Sequence, residues 1–315
     1  MSRLYYARSA GVLLILALLT GCATAVHLQD TTLRSLPQQV LLVDVPFHAQ
    51  SEYQCGPASL AMVLNHRDID TTVEELIPQV FLPGRDGSLQ PEMLATTRRH
   101  AKVAFPIDAS MDALLKEVAA GHPVVVMQNL ALPAWPMWHY AVAIGYDLQK
   151  QEIILHSGEN REHSMAFSRF DATWARSDRW GFIVLPPGEL PSDTAPYRAM
   201  DAISSFEEVQ GARAALPSWL ALSTAYPDFA MGHFARGNAL YATNSVSSAQ
   251  RAFRRAIQED DSLGAAWLNL GLLQAQQGEH DEALESLHQA AAIPGPWQSR
   301  ARQTLEASGD FNKSP

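Results

Sequence analysis

Apolar positions along the chain fall into three regimes. From Gly11 to Leu19 they form an apolar run, between about 40 and 187 they mix helical spacing with short β-like runs, and beyond Pro196 helical spacing returns alone. In the middle regime, Leu60, Val63 and Leu64 recur at helical spacing behind Cys55, and similar patterns predict helices over 72–78, 90–100 and 111–120 and a short one over 170–175. Apolar runs bounded by turn residues predict strands over 41–45, 124–128, 137–146, 152–156 and 180–185. Helices gathered ahead of antiparallel strands define an α+β domain, placed here at 40–187.

Pro186, Pro187, Pro191 and Pro196 mark a linker, taken as 188–197. Beyond it the chain matches itself at an offset of 34 residues: Phe234 with Leu268, Gly237 with Gly271, Ala249 with Ala283, Phe253 with Leu287 and Ala256 with Ala290. Small and apolar residues at this period resemble tetratricopeptide repeats, which implies an all-α domain over 198–300 with clear units at 230–263 and 264–297 and a tail at 301–315. Ala215, Trp219 and Pro227 sit one period earlier and suggest a degenerate unit from about Tyr197. Such arrays present a concave surface to peptides or proteins. A protein partner on the repeats and plain support of the preceding domain are both open.

The first apolar run follows Arg3 and Arg8 and ends in Leu19-Thr20-Gly21-Cys22. It is too short for a spanning helix of about 20 residues and has the order of a signal peptide, residues 1–21. The Leu-Thr-Gly-Cys ending resembles the bacterial lipoprotein signal. The resemblance implies lipid on Cys22, a tether over 22–39, and membrane attachment facing the periplasm, at the outer membrane because Ala23 rather than Asp follows. Ordinary secretion after a small residue near Ala25 is the alternative.

Charge narrows the function classes. Lys and Arg number 23 against 33 Asp and Glu, a formal net charge of −10. Removing residues 1–21 leaves 21 basic side chains against 33 acidic ones, a net −12. That balance offers nothing to neutralise phosphates, so a nucleic-acid partner is disfavoured. No His, Cys and acid spacing indicates a metal, and no cofactor is expected.

With Cys22 lipidated, Cys55 is the one remaining thiol of the chain and has no disulfide partner in an oxidising compartment. It opens a predicted helix, with Pro57 where a first turn tolerates a missing N–H. The exposed N–H groups and helix dipole there favour thiolate, so a lowered thiol pKa is expected. The same amides can face an oxyanion, with Gln50, five residues upstream, as a side-chain donor. Gln50, Gln54-Cys55-Gly56-Pro57-Ala58-Ser59 and the helix behind them resemble the nucleophile segment of papain-like cysteine peptidases, most closely the bacteriocin-leader-processing family, the thirty-ninth of these families. That family commonly places its glutamine six residues before the cysteine, which leaves Gln54 as a lesser candidate.

A thiol nucleophile needs a base from another part of the chain. His139 stands at the entrance of the 137–146 run. His139-Tyr140 with Gly145-Tyr146 resembles the family's catalytic histidine strand, which implies that His139 is the base. The family expects Asp-Pro after the next strand, whereas this chain reads Leu155-His156-Ser157-Gly158-Glu159-Asn160. Ser157 occupies the aspartate position and Asn160 lies on the adjoining turn; either is a candidate to orient His139. Trp135, Trp138, Trp174 and Trp180 are divided between cleft and core. The resemblance implies hydrolysis of a peptide or protein substrate by Cys55 and His139. A peptide-binding adaptor without turnover and a thiol-dependent acyl or peptidyl transferase are the alternatives.

Overall fold

The computed structural model describes residues 26–49, 54–81 and 87–308. Cys22 and Gln50 lie outside the described residues. In chain order the first domain contains α1 (Asp30–Ser35), β1 (Gln39–Leu41), α2 (Cys55–Asn65), α3 (Val73–Val80), α4 (Gln90–Arg99), β2 (Val103–Pro106), α5 (Met111–Ala119), β3 (Val124–Asn129), β4 (Trp138–Asp147), β5 (Glu152–Ser157), β6 (Asn160–Ala166), α6 (Phe167–Trp174), a 3₁₀ turn (Ala175–Ser177) and β7 (Gly181–Leu185).

The strands form an antiparallel sheet in the order β2-β7-β3-β4-β5-β6, with β1 also paired to β4. β3 lines β4 along 138–143 and β1 continues that edge along 145–147. Gly145 permits the approach of β1, since a Cβ there would stand 2.5 Å from the Val40 carbonyl oxygen. Residues alternate cleanly between the two faces. Val125, Tyr140, Val142, Ile144 and Phe182 pack with α2, α3 and α4, whereas Val124, Val126, Ala141, Ala143 and Ile183 pack with α5, α6 and the helices after the linker. Both faces are covered, so the strands read as continuous apolar runs rather than as alternation. The chain is an α+β domain followed by an all-α repeat domain, as the pattern predicts.

The repeat domain is built from α7 (Pro196–Gln210), α8 (Ala212–Ala225), α9 (Ala230–Ala242), α10 (Val246–Glu259), α11 (Gly264–Gln276), α12 (His280–Ala292) and α13 (Gln298–Ser308). A Cβ on Gly237 would meet the Phe253 ring at 2.5 Å, and one on Gly271 would meet Leu287 Cγ at 2.8 Å. The offset-34 pairs are therefore the sites where the two helices of each unit touch. The degenerate first unit corresponds to α7 and α8, whose Ala199, Ile203, Phe206, Trp219 and Leu222 belong to the same core as β2, β3 and β7.

Four elements were not legible in the pattern: α1, β6, the short strand β2, and α13, which runs into the segment read as a tail and buries Ala301. α1 lies inside the segment read as tether, held because Val26, Leu28 and Leu36 pack on the core. β6 carries a mostly exposed, polar sequence along the sheet edge, and its pairing with β5 defines it rather than any apolar alternation.

Candidate active site

Cys55 is the first residue of α2, whose residues 56–64 are all buried. Cys55 itself, at the amino terminus, is only partly buried. Gly56 is required there, because a Cβ would run into the Ser88 side chain. Tyr140 ties the same wall by donating its hydroxyl to the Ser88 carbonyl at 3.2 Å, and its ring meets Trp180 edge-on with centroids 5.8 Å apart. Ser88 Oγ is buried and has no hydrogen-bond partner among the described residues. Gly56 belongs to the motif around Cys55, whereas Ser88 carries no sequence signal that would mark it as part of the site.

Cys55 packs on the cluster that contains Tyr140, the residue that follows His139. The helix and strand thus bring Cys55 and His139 onto adjoining elements. His139, the second residue of β4, is paired in register with Gln128 of β3. Its Nε2 is 2.8 Å from Ser157 Oγ at the end of β5. Ser157 is itself set by its neighbour: His156, 1% exposed, makes a 3.2 Å bond from Nε2 to the Val45 carbonyl and accepts the Glu162 amide on Nδ1 at 3.3 Å. Asn160 is exposed and stands opposite Ser157 in the β5–β6 register. Of the two orienting candidates, Ser157 is therefore the one in contact with the imidazole. His48 is engaged with Asn65 at 2.7 Å and His66 with Asp44 at 3.6 Å.

The thiol departs from the lowered pKa expected of a helix terminus. Burial pushes the Cys55 thiol up, against the opposing pull of the Tyr140, Gly56 and Cys55 amides. Burial also lowers His139 below the usual imidazole range, and raises Tyr140, with the nearby Cys55 adding to it. Desolvation disfavours the charged form of each group. Gln54 caps no amide of α2 with its side chain. The tryptophans divide: Trp174 is fully buried, Trp180 is packed against the α2 side of the sheet, and Trp135 and Trp138 are 76% and 50% exposed. No group of His, Cys, Asp and Glu among the described residues is arranged to hold a metal ion.

Residues 42–180 match the family model described as Peptidase_C39 like family, and residues 200–262 and 234–296 match the tetratricopeptide repeat. The chain therefore carries a C39-like peptidase domain followed by a tetratricopeptide-repeat domain. No curated protein matches it. Among solved structures, a C39-like peptidase from Bacillus anthracis is 18% identical over 49% of this chain and 100% of that one, with a TM-score of 0.41. MamA is 21% identical over 38% of this chain and 68% of that one, with a TM-score of 0.35. The TPR2B domain of yeast Sti1, solved in complex with an Hsp70 peptide, is 19% identical over 37% of this chain and 97% of that one, with a TM-score of 0.35.

Proposed function

We propose that the chain is a cysteine peptidase that hydrolyses peptide bonds through Cys55 and His139. What supports this reading is the packing of Cys55, at the start of α2, on the cluster that contains Tyr140 of β4, next in sequence to an imidazole whose Nε2 is held by Ser157. With Nε2 donating to Ser157, Nδ1 is left as the acceptor for the thiol proton. The sulfur then attacks the peptide carbonyl, the imidazolium returns its proton to the departing amine, and water resolves the thioester to a free carboxylate and the thiol. The Cys55 amide, with Gln50, would hold the oxyanion. Lipid on Cys22 would attach the enzyme to the outer membrane facing the periplasm, and the outer repeats would dock a protein or peptide partner.

A second reading, a peptide-binding adaptor, is favoured by the desolvation of Cys55 and His139, which opposes charge on each, and by a serine where a carboxylate would stabilise imidazolium. Turnover of a peptide library by the purified chain separates the two. The peptidase reading expects cleavage that is abolished in Cys55→Ala and reduced about 10² to 10⁴-fold in His139→Ala. Peptide capture without cleavage, equal in wild type and Cys55→Ala, would establish the adaptor.

A further inference from the structure

We propose that the β3–β4 loop is a membrane-contact element that seats this end of the peptidase domain against a lipid surface. The loop exposes Leu130 (43%), Leu132 (62%), Trp135 (76%) and Met137 (60%), Trp138 at the start of β4 is 50% exposed beside them, and no charged residue lies between Asn129 and His139. A solvent-facing loop is normally polar, so this composition calls for a partner.

The display is braced. Leu130 N–H donates to the Met137 carbonyl at 2.9 Å and Trp135 N–H to the Leu132 carbonyl at 3.0 Å. Asn129 Oδ1 accepts the Ala131 and Met137 amides at 3.1 and 3.0 Å. Arg176 donates to the Asn129 and Ala131 carbonyls at 3.2 and 2.7 Å. Backbone demand at the base is thereby met inside the protein, and the apolar side chains are left outside.

The position of the amino-terminal segment selects lipid as the occupant. Register places the β3 end at Asn129, the β4 start at Trp138, the β2 end at Pro106 and the β7 start at Gly181 on one end of the sheet. Val26 and His27 line a cavity of about 350 Å³ with Ser110, Asp112, Asp171 and Arg179, at that same end, and Gln29 N–H is fixed on Asp112 at 2.9 Å. From Val26 back to Cys22 is four Cα steps, a reach of at most about 14 Å. A lipid on Cys22 would hold this end within that distance of the bilayer. Trp and Leu are suited to the interface, and a second contact is what one anchor needs to fix an orientation. The choice of lipid rests on the proposed lipidation of Cys22, but the loop's affinity for a bilayer does not depend on it.

The test uses residues 23–315, which keep every described residue and cannot be lipidated at Cys22. With zwitterionic phosphatidylcholine–phosphatidylethanolamine vesicles we expect co-flotation, and quenching of tryptophan fluorescence when the acyl chains are brominated. Leu132→Ser/Trp135→Ser should partition about tenfold less or weaker, a loss near 1.4 kcal/mol, with its melting temperature unchanged because both side chains are exposed. Cys55→Ala should bind vesicles as wild type does, so failure of the peptidase reading leaves this result standing. Absence of flotation by the unsubstituted chain, equal partition by the loop variant, or a variant effect confined to peptide turnover would each overturn the proposal. The last would make the loop a substrate wall instead.

Discussion

His139 and Ser157 meet at 2.8 Å across the β4–β5 pair, imidazole Nε2 against hydroxyl Oγ. A hydroxyl fixes the ring but carries no charge, so it holds the tautomer without stabilising imidazolium. Hydrogen bonds with an ionised partner are roughly twice as strong as neutral ones. In Ser157→Asp the His139 pKa should therefore rise, by about one unit or more, and peptide turnover at neutral pH should increase about tenfold. Ser157→Ala should lower turnover by a similar factor. NMR titration of the His139 ring together with peptide turnover checks both, and an unmoved pKa in Ser157→Asp would remove Ser157 from the orienting role.

The thiol gives a second measurement. Since burial pushes Cys55 up, its alkylation by a small neutral reagent should be slower at pH 7 than that of a free thiol, and should climb through an apparent pKa above the ordinary value near 8.5. Gly56→Ala should alter this profile, because the Cβ displaces Ser88 from the α2 terminus. A profile with its midpoint below 7 would show a preformed thiolate.

Sequence pattern singled out Cys55 and His139, the proposed nucleophile and base, because each sits at an element junction: Cys55 where a polar loop turns into an apolar helix, His139 where a proline-bounded loop turns into a strand. Ser157 was readable as the residue at a fixed place after the next strand. What the pattern did not give is the thiol's protonation, which depends on how deeply α2 enters the core, and the part of Ser88, which reaches Gly56 only through the tertiary fold. β6 and α1 escaped for the same reason: pairing and docking hold them, while their own spacing is nearly silent.

Histidines supply a pH dependence of stability. His66, His100, His139 and His156 all have imidazoles lowered mainly by burial. Their unfolded counterparts titrate near 6.5, so below that pH the unfolded chain binds more protons and stability falls. The melting temperature should be level above about pH 7 and drop as pH goes through 6.5 toward 5. His156→Gln should flatten part of this slope while lowering the plateau, since the bonds to Val45 and Glu162 are lost. A melting temperature that rises on acidification across this window would contradict the assignment of these groups as neutral.

Within the repeats, Gly237→Val is expected to cost about 1 to 3 kcal/mol by overpacking against Phe253. Phe253→Leu in the same chain should recover part of the loss, because Leu287 fills the equivalent place beside Gly271 in the next unit. Denaturant melts of the single and double variants measure the coupling, and additive losses would mean that the two sites do not touch.

The first helical pair covers the sheet, and of the outer pairs α9 joins that core through Ala239. Phe206 and Trp219 lie in one core with Phe105, Ile183 and Leu185, Gln210 donates to the Arg98 carbonyl at 2.8 Å, and Glu117 holds the linker by accepting Ser192 and Asp193 at 2.8 and 3.2 Å. By contrast Phe253 and Leu287 anchor separate, smaller clusters. Ending the chain at 187 should uncover the α5 and α6 face of the sheet and yield an aggregating or partly folded product. Ending it at 229, which retains α7 and α8, should leave a folded domain with cysteine reactivity like that of the full chain. Trp219→Ala should destabilise the full chain by about 3 to 5 kcal/mol, the range for a large buried aromatic. If instead the 1–187 chain melts cooperatively at the temperature of the full chain, the shared core contributes nothing to the peptidase domain, and all three helical pairs are then free to serve docking.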